Sequence, residues 1–190
     1  MSIIAKEGNK KMLVPCGLKQ AVCYDVWDLG NQKGEYMGVP NVTRKIIIAW
    51  EIEDTQTSGD YAGKRYTISK FYSLSLGRKA NLRHDLISWR GKEFTDEELK
   101  GFEVENIIGV NCLLNIGTSD KGNNKILGIS PITKTMQKMT PENKRSIPDW
   151  VKKFINDSVK EDSLDAIEQT EEVSVDDGEI PFCINTKWKT

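Results

Sequence analysis

The fold of this chain is decided by one stretch, which begins RYTISKFYSLSL at residues 65–76 and continues to Trp89. Its first part is rich in aromatic, β-branched and hydroxyl residues that alternate between two faces, which predicts a β-strand with one buried and one wettable side. Leu82, Leu86 and Trp89 then recur with the spacing of an amphipathic helix, and Gly91 is placed to end it. The stretch therefore predicts a strand that runs directly into a helix.

Strand patterns lie on both sides of this stretch, at residues 18–27, 44–52, 110–116 and 125–132. In the first pattern Tyr24 falls on the face assigned to the core and Cys23 on the other, and residues 29–34 predict a hairpin turn. In the second, the inward face is formed by Ile46, Ile48, Trp50 and Ile52. A capping box formed by Thr95 and Glu98 adds a short helix before the fourth strand. The resulting order, β-β-β-α-β-β, is that of the oligonucleotide/oligosaccharide-binding (OB) fold. The sequence thus predicts a mostly-β protein with a five-stranded Greek-key barrel and a helix between strands 3 and 4. Periodicity does not establish closure, so an SH3-like barrel and a plain α+β sheet are the alternatives.

The length of 190 residues suits one core with appendages. We expect an arm at 1–14, an OB-type domain at 15–135, a basic segment with a short helix at 136–157 and an acidic, disordered tail at 158–190. Residues 1–157 hold 24 Lys and Arg against 19 Asp and Glu, whereas 158–190 hold 3 against 9. A basic body with an acidic tail suggests a partner that is a polyanion, although a soluble domain with a disordered end has the same charge pattern.

Other classes of protein have little support in the sequence. No apolar run approaches the roughly 20 residues of a membrane span and the first residues lack a signal peptide's apolar region, so we expect a cytoplasmic protein. The four cysteines form no Cys-x-x-Cys pair and His84 is the single histidine, which argues against a metal site and indicates core thiols. Because no phosphate loop or nucleophile–base pair accompanies His84, we expect neither catalysis nor a cofactor.

Several segments together resemble the single-stranded DNA-binding proteins encoded by tailed phages and prophages. They are DVWDLG (25–30), AWE (49–51), LSL (74–76), KANLR (79–83), SWRGK (88–92), ELKGF (98–102) and GVNCL (109–113). The resemblance covers roughly residues 16 to 132. It implies an OB-type fold and a protein that coats exposed strands during phage DNA replication or recombination, in the cytoplasm of a bacterial host. A protein-binding OB module, such as a recombination mediator or an inhibitor of a host enzyme, is the alternative function.

Binding of single strands without sequence preference requires aromatic rings for base stacking and cations along the backbone. Strand alternation places Trp27 and Phe71 opposite the faces assigned to the core, and Tyr66 at the start of the third strand. The predicted DNA-binding residues are Trp27, Arg44, Lys45, Arg65, Tyr66, Lys70 and Phe71. The alternative is that Trp27 and Phe71 pack under a loop or the C-terminal segment and that the lysines only solubilise the protein.

The acidic tail contains a second resemblance. Its segment DDGEIPF is similar to the acidic tip by which bacterial single-stranded DNA-binding proteins recruit replication and repair enzymes. The residues predicted to bind such a partner are Asp176, Asp177, Glu179, Ile180, Pro181 and Phe182. That tip normally ends the chain at its phenylalanine, whereas this chain continues to Thr190, so no terminal carboxylate is available at Phe182. The alternative is a chance Ile-Pro-Phe in an ordinary acidic tail.

Overall fold

A computed structural model describes residues 13–159 of the chain. Its five strands are β1 (Gly17–Tyr36), β2 (Val39–Thr55), β3 (Arg65–Ser73), β4 (Asn111–Thr118) and β5 (Asn124–Ser130). They form one antiparallel sheet in the order β3-β2-β1-β4-β5. Between residues 13 and 159 no ladder joins β3 to β5, so this mostly-β fold has an open sheet. The predicted tip at residues 176–182 lies outside the described residues.

Helical elements occupy two places in the chain order. Between β3 and β4 lie α1 (Asn81–Arg90), α2 (Asp96–Lys100) and a 3-10 turn (Val104–Ile107), and after β5 comes α3 (Asp149–Asn156). Gly91 ends α1 with a φ of 67°, a left-handed conformation that favours glycine. The predicted capping box of α2 is confirmed, because the Thr95 side chain accepts the N–H of Glu98 while the Glu98 side chain accepts the N–H of Thr95.

The main core lies between α1 and one face of the sheet. The alternating apolar residues of β2 point into it, as the sequence predicts, and Trp50 meets Trp89 of α1 with ring centroids 5.8 Å apart. Trp89 donates its indole N–H to the carbonyl of Asn111 at 2.9 Å, which satisfies its one polar atom. Cys23 and Cys112 are buried in this core, where burial raises the pKa of both thiols, so the expectation of core thiols is confirmed for these two. It is wrong for Cys16, which is exposed, and Cys183 lies outside the described residues.

A bulge in β1 changes which of its residues face the main core. The sequence assigns Tyr24 to the core face and Cys23 to the other, and this assignment is wrong. The register between β1 and β2 shifts between Cys23 and Asp25, so Cys23 packs in the main core while Tyr24 joins the opposite face. Trp27 lies on the face opposite the main core, as predicted, but it is only 4% exposed. Of the two alternatives for Trp27, a ring open to bases and a ring packed under another segment, the structure shows the covered ring.

The hairpin of β1 and β2 is longer than predicted. The sequence places its turn at residues 29–34, whereas the ladder continues to the pair Tyr36 and Val39. The turn is formed by Met37 and Gly38, whose φ angles are 51° and 82°. Gly30, with a φ of 68°, lies instead at a second register shift within β1. Gly30 therefore accommodates a bulge and does not form the predicted turn.

Candidate nucleic-acid interface

The face of the sheet opposite the main core, here called the outer face, is covered by the C-terminal segment. A second, smaller core on this face contains Trp27, Leu29, Ile47, Ala49 and Val151. Val151 belongs to α3 and is fully buried. The methyl side chain of Ala49 leaves room for the helix to approach the sheet closely. Trp27 therefore packs beneath the C-terminal segment, which is the alternative considered from the sequence.

Residues 137–148, which lead into α3 and are called the strap below, cross the outer face in an extended path. Gln20 donates to the carbonyl of Gln137 at 2.6 Å. Asn111 holds Met139 through two hydrogen bonds, since it donates to the Met139 carbonyl at 2.8 Å and accepts the Met139 N–H at 2.7 Å. Both side chains are buried and bind main-chain groups. They therefore hold the strap largely without regard to its side chains.

Two buried carboxylates hold the rest of the strap. Glu51, fully buried, accepts the N–H of Glu142 at 2.9 Å and that of Asn143 at 2.5 Å. Asp25, 4% exposed, accepts the Arg145 guanidinium at 3.2 Å and the Trp27 indole N–H at 2.9 Å. Burying a carboxylate without partners is costly, so the strap and these two acids stabilise each other.

A groove runs between the strap and the edge strand β3. Two adjoining cavities, of about 190 and 580 Å³, share Tyr24, Thr67 and Pro148 in their walls and together form this groove. Thr67 and Ser69 of β3 line it from the outer face, and Ile68, Val14 and Asn124 also line the larger cavity. Burial, with the Asp25 carboxylate nearby, raises the pKa of Tyr24 to about 12, so its phenol stays neutral at physiological pH. The groove between the strap and β3 is called the β3 groove below.

One end of the β3 groove carries exposed rings. Phe71 of β3 and Trp150 and Phe154 of α3 are 43%, 43% and 39% exposed. Their centroids lie 5.4 Å apart for Phe71 and Phe154, 6.3 Å for Phe71 and Trp150, and 6.4 Å for Trp150 and Phe154. The buried Trp27 supports Trp150 from beneath in an edge-on contact at 5.9 Å. These three exposed rings, called the aromatic cluster, are thus held in place while much of their area remains open to solvent.

The other end of the groove is basic. Lys64, Arg65 and Lys144 line the smaller cavity together with Tyr61. The Arg65 guanidinium lies 3.5 Å from a carboxylate oxygen of Glu51 and 2.9 Å from one of Glu142, so its charge is balanced locally. Lys64 lies over the Tyr61 ring, with 5.5 Å between its ammonium nitrogen and the ring centroid. Both lysines are exposed.

Four of the seven predicted DNA-binding residues lie on the outer face. Trp27 and Phe71 flank Ile47 of β2 in register, and Lys45 lies one step further along the same face of β2. Arg65 lines the basic end of the groove. Phe71 is exposed, Lys45 is half-buried with a pKa lowered by burial, and Trp27 is covered. The structure brings these four residues to one surface, although only Phe71 offers an open ring.

The other three predicted residues are directed elsewhere. Lys70 donates to Asp85 of α1 at 2.6 Å on the core side of β3. Tyr66 is half-buried against the main core. Arg44 forms an ion pair with Asp28 at 2.5 Å on the surface of the hairpin. The alternation of side chains along a strand explains these positions, because Arg44, Tyr66 and Lys70 fall on the face of their strands opposite to that of Lys45, Arg65 and Phe71.

Residues of the groove and its exposed rings that sequence reasoning did not assign to the site include Tyr61, Lys144, Trp150 and Phe154. A signal for the last two exists, because α3 carries two apolar pairs at i and i+4 spacing. Val151 and Ile155 form the pair that packs on the sheet, and Trp150 with Phe154 forms the pair that stays exposed. One helix cannot bury two such adjacent stripes on a flat sheet. From this pattern alone, one of the two pairs could have been predicted to stay exposed as a binding surface.

In the part of the chain that the structure describes, no group of three or more His, Cys, Asp and Glu side chains is placed to hold a metal ion. Among the same residues, no helix has the length and apolar character needed to cross a membrane. Comparison with known proteins yields no matching family model, no matching curated protein and no matching solved structure.

Proposed function

We propose that this protein binds single-stranded DNA in the β3 groove, without catalysis. The observation that carries the proposal is the aromatic cluster, in which three preorganised rings stand exposed at one end of a groove whose other end is basic. Exposed rings in contact with one another are what unpaired bases stack on, at about 1–3 kcal/mol per base. Duplex DNA keeps its bases stacked inside, so such a surface favours single strands.

The fold supports the same proposal. We infer an OB-type fold, because three meandering strands followed by a β4–β5 hairpin that pairs with β1 follow the pairing order of a Greek-key barrel that lacks its closing β3–β5 ladder. OB folds bind oligonucleotides on the face of strands 2 and 3 and on the neighbouring loops. In this chain the aromatic cluster and the groove lie against β3 and the loop before it.

Electrostatics are compatible with a polyanion in the groove. Two carboxylates, Asp25 and Glu51, lie beneath the strap and would repel phosphates if they were bare. Arg145, Arg65 and two strap N–H groups neutralise or satisfy them. Displacing the strap would expose these two carboxylates to the phosphates of bound DNA. We therefore expect the strap to stay in place as one wall of the groove.

The resemblance to phage and prophage proteins extends this proposal to coating of exposed strands during DNA replication or recombination, in a bacterial cytoplasm. Residues 176–182 would then recruit replication or repair proteins. An exposed aromatic cluster is also suited to a protein partner, since tryptophan and tyrosine are enriched where protein interfaces are strongest. A protein-binding module is accordingly the second candidate.

Titration with a labelled oligo-dT, and with a duplex of equal length, distinguishes the two functions. We expect the single strand to bind more tightly than the duplex, to quench tryptophan fluorescence and to dissociate as salt rises, because cations displaced from the phosphates make binding salt-dependent. Equal affinity for both DNAs, or none for either, would favour a protein partner.

A further inference from the structure

The cavity at the basic end of the β3 groove is lined by several side chains that carry positive charge or can donate hydrogen bonds. Lys64, Arg65 and Lys144 supply three cations, and Tyr61, Asn143 and Ser146 are among the neutral groups that can donate hydrogen bonds. Among the residues that the structure describes, no carboxylate lines this cavity. Its volume of about 190 Å³ is about a third of the 580 Å³ of the adjoining cavity. The cavity is thus small and rich in donors.

The described residues balance only part of the positive charge of this cavity. Arg65 is neutralised by Glu51 and Glu142, as described above. In contrast, no ion pair engages Lys64 or Lys144 within residues 13–159. Two lysines in the lining of one small cavity carry like charges, and an anion bound between them would relieve their repulsion. The two uncompensated charges match an anion with a charge of about −2.

Both lysines extend from anchored backbone. Glu51 holds the N–H of Asn143, the residue directly before Lys144. Lys64 ends a loop that is closed by backbone hydrogen bonds, from Gln56 N–H to the Lys64 carbonyl at 2.8 Å and from Lys64 N–H to the Tyr61 carbonyl at 3.0 Å. The backbone positions from which the two side chains extend are therefore held before any ligand arrives, so only the side chains themselves need to be ordered on binding.

We propose that this cavity, called the phosphate pocket, binds a phosphate monoester at the end of a DNA strand. A terminal phosphate carries a charge of about −1.5 to −2 at pH 7 and offers three strong acceptor oxygens, whereas an internal phosphodiester carries only one charge. The phosphorylated end of the DNA would then lie at the basic end of the β3 groove, and the bases that follow it would reach the aromatic cluster. This inference depends on the proposed function for the identity of the ligand, but the anion site itself does not.

The test compares oligo-dT strands that differ only in one terminal group, phosphate or hydroxyl, at the 5′ end or the 3′ end, with the fluorescent label at the opposite end. We expect a phosphate at one of the two ends to tighten binding about tenfold or more, as one charge-assisted hydrogen bond can do. In the double variant K64Q/K144Q, both strands should bind within about twofold of each other. Lys33→Gln, which removes an exposed lysine of the β1–β2 hairpin, is the matched control and should keep the difference.

Three results would overturn the inference. If phosphorylated and hydroxyl strands bind the parent protein equally, the pocket does not recognise strand ends, while the proposed function stands. If K64Q/K144Q weakens both strands by the same factor, the pocket holds an internal phosphodiester. If no strand binds at all, the proposed function fails, and thermal stabilisation by inorganic phosphate at constant ionic strength decides the anion site. Stabilisation that is no larger for the parent than for K64Q/K144Q would then refute the site as well.

Discussion

Replacing Trp150 with alanine separates stacking from folding. The indole is 43% exposed and contacts the rings of Trp27, Phe71 and Phe154. Losing one stacked base costs about 1–3 kcal/mol of binding free energy, so the affinity for oligo-dT should fall roughly 5- to 150-fold. A core Trp→Ala substitution costs about 3–5 kcal/mol of unfolding free energy, and since over two-fifths of this side chain is in solvent we expect about 2–3 kcal/mol here.

The matched control is the next residue, Val151, which is fully buried on the other side of α3. Val151→Ala removes two methyl groups and leaves a cavity, at a cost of about 2–3 kcal/mol of unfolding free energy. Its affinity for oligo-dT should nevertheless stay within about twofold of the parent. Binding is measured by fluorescence anisotropy and stability by urea unfolding. Equal losses of affinity in the two variants would mean that α3 only supports the fold, and unchanged affinity in both would refute the aromatic cluster as a binding site.

Further perturbations test the strap and the tail. Glu51→Ala leaves Arg65 and two strap N–H groups without their buried partner. It should therefore lower the unfolding free energy measured in urea by about 3–5 kcal/mol and speed hydrogen exchange across the strap. Unaltered exchange in the strap would contradict the anchoring role of Glu51. Removing residues 160–190 changes the net charge from −1 to +5 and should tighten binding of oligo-dT, more at low salt than at high, whereas equal affinity at low salt would show that the tail does not compete with the strand. Phe182→Ala should abolish capture of a replication or repair protein in a pull-down yet leave DNA affinity unchanged, and capture equal to the parent's would mean that the tip is a chance likeness.

The sequence was sufficient for the elements whose pattern is local. The alternation of Ile46, Ile48, Trp50 and Ile52 predicts their inward face, because side chains repeat every two residues along a strand and only one side of β2 meets α1. The α2 cap was predicted because both of its hydrogen bonds join residues three positions apart. In contrast, the bulge near Tyr24 reversed the faces of β1, since one extra residue shifts the alternation and leaves no composition signal.

The candidate site was less predictable because distant parts of the chain build it. Gln20 binds Gln137 and Glu51 binds Asn143, contacts that span about 90 to 120 residues of sequence and involve main-chain groups on the strap side. Such recognition imposes no residue type on the strap. Phe71 was predicted correctly as outward because β3 alternates regularly. For Trp27 the sequence left an open and a covered ring as alternatives, because nothing in its own neighbourhood shows that α3 returns to cover it.

Photo-crosslinking tests the central claim most directly. Oligo-dT that carries 5-iodouracil is bound to the full-length protein, irradiated and digested, and the crosslinked residues are identified by mass spectrometry. Binding in the β3 groove predicts crosslinks to Phe71, Trp150 or Phe154 that disappear when an excess of unlabelled single strand is added and persist in an excess of duplex. Crosslinks confined to the opposite face, near Tyr66, or to the hairpin turn at Met37 would contradict the account.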